Sequence, residues 1–90
     1  MKKSNRELER IVKGFANHRR LQILELLGKE PELSVQEVSD KLKSEFKNIS
    51  AHMNKMAISG LLMKRSEGNI VRHKLTNRGK SILQFVRIIE

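Results

Sequence analysis

Leu8, Ile11, Val12 and Phe15 recur at the spacing of one helical face, while Arg6, Glu7, Glu9, Arg10 and Lys13 fill the other. That pattern predicts a first helix over roughly residues 4 to 16. After Asn17 a second apolar run, Leu21, Ile23, Leu24, Leu26 and Leu27, covers more than one side of a helix and marks the most buried element. Gly28 reads as a left-handed stop for this helix, and Pro31 prevents its quick resumption. Ser34-Val35-Gln36-Glu37 has the form of a capping box, in which the Ser34 hydroxyl accepts from the Glu37 amide and the Glu37 carboxylate accepts from the Ser34 amide. A short third helix is expected from Val35 to near Lys43, with Val35, Val38 and Leu42 facing inward.

A fourth helical pattern follows almost at once, so the third and fourth helices are joined by a tight turn, the arrangement of a helix-turn-helix. The turn lacks the glycine often found there. At 100° per residue, Ile49, Met53, Met56 and Gly60 of the fourth helix fall within about 60° of one another and are expected to pack on the core. Lys47, Asn48, Ala51, Asn54 and Lys55 then point outward, Ser50 and His52 lie on the flanks, and the outward Ile58 has no role in this scheme. Leu61 to Arg65 and Asn69 to Leu75 read as two strands joined by Ser66, Glu67 and Gly68, a hairpin carrying Lys64, Arg65, Arg72 and Lys74. Thr76 or Asn77 caps a last helix whose apolar face is Ile82, Phe85, Val86 and Ile89, widened by Leu83 and Ile88. The fold class is therefore mostly α with a small β-hairpin: four helices, the hairpin, and a fifth helix, read as one domain over residues 1 to 90.

Charge gives this architecture a direction. Residues 43 to 80 hold nine Lys/Arg against Glu45 and Glu67, so +7 of the chain's +9 lies there, whereas residues 1 to 42 carry nine basic and seven acidic side chains. Clustered cations favour a polyanionic partner because they release counterions from phosphates; a basic, solvated surface is the plainer alternative. Near the start of the fourth helix, Asn can pair with adenine, Lys can donate to guanine, and Ala51 permits close approach or touches a thymine methyl. The hairpin cations suit phosphates or a flanking minor groove, or simply form a solvated charged ribbon. His52 is read either as a phosphate contact or as a helix-flank residue bonded to backbone or water. The apolar excess on the first and last helices, Leu8, Ile11, Val12, Phe15, Ile82, Phe85, Val86 and Ile89, reads as a dimer interface, or else as closure of a monomer's core.

The absence of cysteine removes disulfides, thiolate metal sites and cysteine nucleophiles. It fits a reducing cytoplasm. No apolar run approaches the ~20 residues that cross a bilayer, and the basic start is not followed by an apolar segment, so neither a membrane span nor a signal peptide is expected. No nucleophile and base pairing, phosphate-cradling glycine loop, HExxH pattern or paired carboxylates suggest an enzyme, and no cofactor is implied. Phe15, Phe46 and Phe85, the only aromatics, are assigned to the core, which leaves no stacking platform for RNA.

Four segments resemble the ArsR-type winged-helix transcription regulators, the last with a MarR-like character. They are Ala16-Asn17-His18-Arg19-Arg20-Leu21-Gln22-Ile23-Leu24, Ile49-Ser50-Ala51-His52-Met53, Ser59-Gly60-Leu61-Leu62, and Leu75-Thr76-Asn77-Arg78-Gly79. The resemblance covers roughly residues 11 to 83. It implies a winged helix-turn-helix homodimer joined by its first and last helices, with two recognition helices in successive major grooves and repression of a promoter. The family's reading positions fall on Lys47, Asn48, Ser50 and Ala51. Many members carry Arg where Ala51 and Asn69 stand here, so a base-reading and a wing-tip arginine are both missing. The family's metal-sensing modes find no ligands: there is no thiolate, the last helix has no His and only the terminal Glu90 as a carboxylate, and His18, His52 and His73 lie on three different elements. Nothing in the sequence points to a small-molecule effector. The expected function is that of a sequence-specific regulator binding double-stranded DNA, the alternative being a winged-helix protein-interaction module with Ile58 and the last helix as its sticky surfaces.

Overall fold

The computed structural model describes residues 2–90, as five helices and one antiparallel hairpin: α1 (Asn5–Lys13), α2 (His18–Lys29), α3 (Val35–Leu42), α4 (Phe46–Ile58), β1 (Leu62–Glu67), β2 (Ile70–Leu75) and α5 (Asn77–Ile89). α1 is shorter than its periodicity suggests. Ser4 and Glu7 form a capping box that fixes its start, and the chain turns at Gly14, where an added Cβ would collide with the Ser59 side chain.

α2 forms the centre, with Ile23, Leu24 and Leu27 buried. Gly28 does not stop it: the helix runs on to Lys29, and Glu32 rather than a glycine takes the left-handed conformation, at φ 68°. Gly28 serves close packing instead, since a Cβ there would lie 2.5 Å from Leu83 Cδ2 of α5. Between α2 and α3 the backbone of Leu33 pairs with His73, which adds a one-residue third rung beside β2. Sequence periodicity could not register a single residue.

The Ser34 and Glu37 capping box of α3 forms as expected. The helix ends on Lys43 in the left-handed region at φ 53°, with Ser44 N donating to Ser39 O and Lys43 N to Asp40 O. That is a Schellman turn built without glycine, and it produces the tight joint between α3 and α4. Ile49, Met53 and Met56 of α4 are fully buried. Gly60 lies beyond the helix: it takes φ 79°, and Leu61 N donates to Met56 O, so it terminates α4 rather than extending its inner face.

The hairpin pairs Leu62 with Leu75 through Glu67 with Ile70. Its loop is therefore the two-residue Gly68-Asn69, with Gly68 at φ 61°, and Ser66 and Glu67 belong to β1 rather than to the turn. Thr76 caps α5, its hydroxyl accepting from Gly79 N. The same segment holds the turn after α4, because Thr76 N donates to Leu61 O and an Arg78 guanidinium N–H donates to Ser59 O. Leu83 is the α5 side chain that enters the core; Ile82 and Val86 are half-buried, and Phe85, Ile88 and Ile89 are exposed. α1 has no buried residue: Ile11 is half-buried, and Leu8 and Val12 are exposed. Core closure within one chain thus leaves the apolar faces of α1 and α5 largely uncovered.

Candidate nucleic-acid interface

Burial of Ile49, Met53 and Met56 fixes the rotation of α4 and turns Lys47, Asn48, Ala51, Asn54 and Lys55 to solvent. On the flank facing the hairpin, Lys47, Ser50, Ala51, Asn54 and Phe46 share a recess of about 360 Å³ with Val35, Lys64 and His73. Lys64 reaches it because it lies directly opposite the inward His73 in the register, and Lys64 makes no ion pair among the described residues. The apolar character of Phe46 predicts a core position. It is 49% exposed instead, because α4 begins at this residue and its side chain projects between the hairpin and α3. Phe85 is likewise 50% exposed, so the premise that all three aromatics are internal does not hold.

The four hairpin cations separate. Lys74 pairs with Met63 across the ladder and lines a different cleft, of about 440 Å³, with Pro31, Lys80, Leu83 and Arg87. Arg65 and Arg72 face each other across the ladder and are held by carboxylates: Arg65 Nε donates to Glu32 at 2.7 Å, Arg72 Nε to Glu67 at 2.8 Å, and Arg72 Nη1 to Glu37 at 3.2 Å and to Glu32 O at 3.1 Å. Arg65 also reaches Glu67 at 3.3 Å. This network ties the hairpin to the loop before α3 and to the α3 capping box. The carboxyl of Glu67 is held below its usual range by Arg72 first and then Arg65, and that of Glu37 by its hydrogen bonds to Ser34 and then by Arg72.

The opposite flank of α4 faces α2. Arg20 Nε donates to His52 Nδ1 at 3.1 Å, and Arg20 Nη1 donates to Lys13 O at 2.7 Å. Because Nδ1 accepts, the neutral ring carries its proton on Nε2. Burial pushes the His52 pKa down, and Arg20, Arg19 and Lys55 push it further in the same direction. His73, buried behind the hairpin with Nδ1 3.3 Å from Leu33 O, is also pushed down, first by burial and also by Lys64. Arg20, in the Ala16 to Leu24 segment that opens α2, carries no charge-pattern signal along the sequence that marks it as a site residue. Only the fold brings it, together with Arg10, Lys13 and Lys55, around a cleft of about 600 Å³ that Ile58 also lines. Among the described residues, no three His, Asp or Glu side chains are placed to hold one metal ion, and no helix is long and apolar enough to cross a membrane.

No protein-family model matches the chain, and no curated protein matches its sequence. Solved structures do. HlyU from Vibrio cholerae N16961 is 31% identical over 99% of this chain and 97% of its own, with a TM-score of 0.83. The homodimeric winged helix-turn-helix DNA-binding domain of Mb0332 from Mycobacterium bovis, a possible ArsR-family transcriptional regulator, is 25% identical over 99% of this chain and 88% of its own, also at 0.83. NolR from Sinorhizobium fredii, 23% identical over 94% of this chain and 85% of its own, shares the fold with a TM-score of 0.85.

Proposed function

We propose that this chain, which belongs to the ArsR-type winged helix-turn-helix transcriptional regulators, acts as a cytoplasmic homodimer whose two α4 helices enter successive major grooves and whose occupancy of a promoter represses it. Regulators of this family are DNA-binding and not enzymes. The observation that carries the reading is the solvent face of α4: Lys47, Ala51 and Asn54 stand clear of the core beside the unpaired Lys64, in the most basic part of the chain. Residues 1 to 90 act as one DNA-binding unit in this reading. Lys47 and Asn48 select bases, and Ala51 lets the helix approach the groove floor. Ser50, Asn54, Lys55 and the Nε2 proton of His52 suit phosphates, which position the helix without reading sequence. Lys64 is the wing cation aimed at the same duplex, while Arg65 and Arg72 act indirectly by holding the wing. Self-association through α1 and α5 covers Leu8, Val12, Phe85 and Ile89.

Electrophoretic titration against selected and random duplexes at physiological salt tests this. A clear preference for the selected duplex is expected; equal affinity for both removes the proposal.

A further inference from the structure

The face that α4 shares with the wing carries an apolar side chain that neither the core nor the charge pattern explains. Phe46, the first residue of α4, is half exposed and lines the same recess as Lys47, Ser50, Ala51, Asn54 and Lys64. On its other side it borders a second recess with Val35, Ile70 and Val71, and Ile70 and Val71 are exposed as well. Of the large apolar side chains that follow it in α4, Ile49, Met53 and Met56 are fully buried, and the exposed Ile58 lies at the far end of the helix, beside α2 rather than the wing. Apolar surface left in water forgoes its burial energy, so a phenyl ring held out among cations gains most from a partner that is both anionic and locally apolar.

The major groove of a duplex offers that combination at one place. Base edges there are hydrogen-bond donors and acceptors except for the C5 methyl of thymine, and residues near the N-terminus of a recognition helix are the ones that reach base edges. We propose that Phe46 is a specificity-determining residue that packs against a thymine methyl in each half-site. The inference rests on the duplex-binding reading above and deepens it. It supplies base choice at a position where no hydrogen bond is made, in a chain whose recognition helix carries Ala51 in place of a donor.

The test uses duplexes enriched from random DNA by the full chain and then resynthesised with deoxyuridine in place of thymidine, one position at a time. Each replacement removes a methyl and no hydrogen-bonding group. The wild-type protein is expected to lose about fourfold in affinity at one position per half-site, the partition of a single buried methyl. Phe46→Ala is expected to bind the thymine duplex more weakly and to lose the thymine-uracil difference, and Phe46→Leu to keep part of it. Circular dichroism of each variant separates a folding defect from a lost contact, and Phe46→Leu carries the test if Phe46→Ala unfolds. Enrichment of no duplex defeats the duplex-binding reading and the assignment with it. Three outcomes overturn the assignment alone: a duplex indifferent to uracil at every position, a Phe46→Ala protein that discriminates as well as wild type, or an equal loss on both duplexes, which puts the ring on sugar and phosphate instead.

Discussion

At the scale of single residues, several positions do work that their residue type does not advertise. Lys43 is a non-glycine in the left-handed region, a conformation that costs an L-residue roughly 1–2 kcal/mol. Glycine avoids that cost but loses more chain entropy, by roughly 0.5–1 kcal/mol. Lys43→Gly is therefore expected to stabilise the protein by about 0.5 kcal/mol, read as a rise in Tm by thermal denaturation. Gly79 behaves oppositely, because a Cβ there would press on the backbone carbonyl of Leu61, which cannot move aside as a side chain would. Gly79→Ala should lower stability by about 1–3 kcal/mol, the usual range for overpacking, as measured by urea unfolding. The two depressed histidines give a pH signature. His52 and His73 both titrate below the ordinary 6.5 in the folded chain, so the unfolded chain binds more protons as pH falls past that value. The stability they contribute is fully present above 6.5 and is lost as pH falls toward their folded values. Urea unfolding at pH 7.5 and 5.5 should show this fall in wild type and a shallower one in a His52→Gln, His73→Gln double variant.

At the scale of elements, the wing is held by charge and its partner helices by caps. Arg65 bridges β1 to Glu32 on the segment that leads into α3, and Arg72 bridges β2 to Glu37 in the first turn of α3. Arg72→Gln is expected to leave the helices intact while speeding amide hydrogen exchange in residues 62–75, because it cuts the bond to Glu67 across the wing and the wing's ties to Glu37 and the Glu32 carbonyl together. Lys64→Ala should instead leave exchange unchanged. Its effect is expected on duplex binding alone, weakening all sequences alike and lowering the slope of log affinity against log salt by about 1. The contrast separates a cation that positions the wing from one that meets phosphate. Ser34 matters to both, since its capping box includes the Glu37 that receives Arg72.

At the scale of the whole molecule, the exposed apolar faces of α1 and α5 are the largest feature that one chain leaves unexplained. Phe85, Ile88 and Ile89 are 50%, 73% and 64% exposed, and α1 has no fully buried residue. The proposed C2 dimer through these helices would place its two α4 helices about 34 Å apart, or a multiple of that, on a pseudo-palindromic site. Phe85→Glu is expected to yield monomers in analytical ultracentrifugation and to weaken binding to a full site far more than to an isolated half-site. A dimer that persists in this variant moves the interface elsewhere.

The helices and the helix-turn-helix were legible in the sequence because their signals are local: apolar spacing, the Ser34 to Glu37 box and the Thr76 cap each act within a turn or two of chain. The outward set on α4 was legible for the same reason, since burying Ile49, Met53 and Met56 fixes where Lys47, Ala51 and Asn54 point. What only the tertiary structure decided depends on partners distant in the chain. Gly28 continues a helix because Leu83 needs its space, and Lys43 turns left-handed because α3 and α4 must meet. Phe46 stays half exposed because the hairpin and α3 flank the start of α4 without closing over it. The wing cations looked equivalent along the strand, yet the register sends Lys64 toward α4 and Lys74 away, and carboxylates from another segment engage Arg65 and Arg72. The sequence by itself determined which elements form and where positive charge gathers; the packing of those elements determined which charges remain free to meet a polyanion.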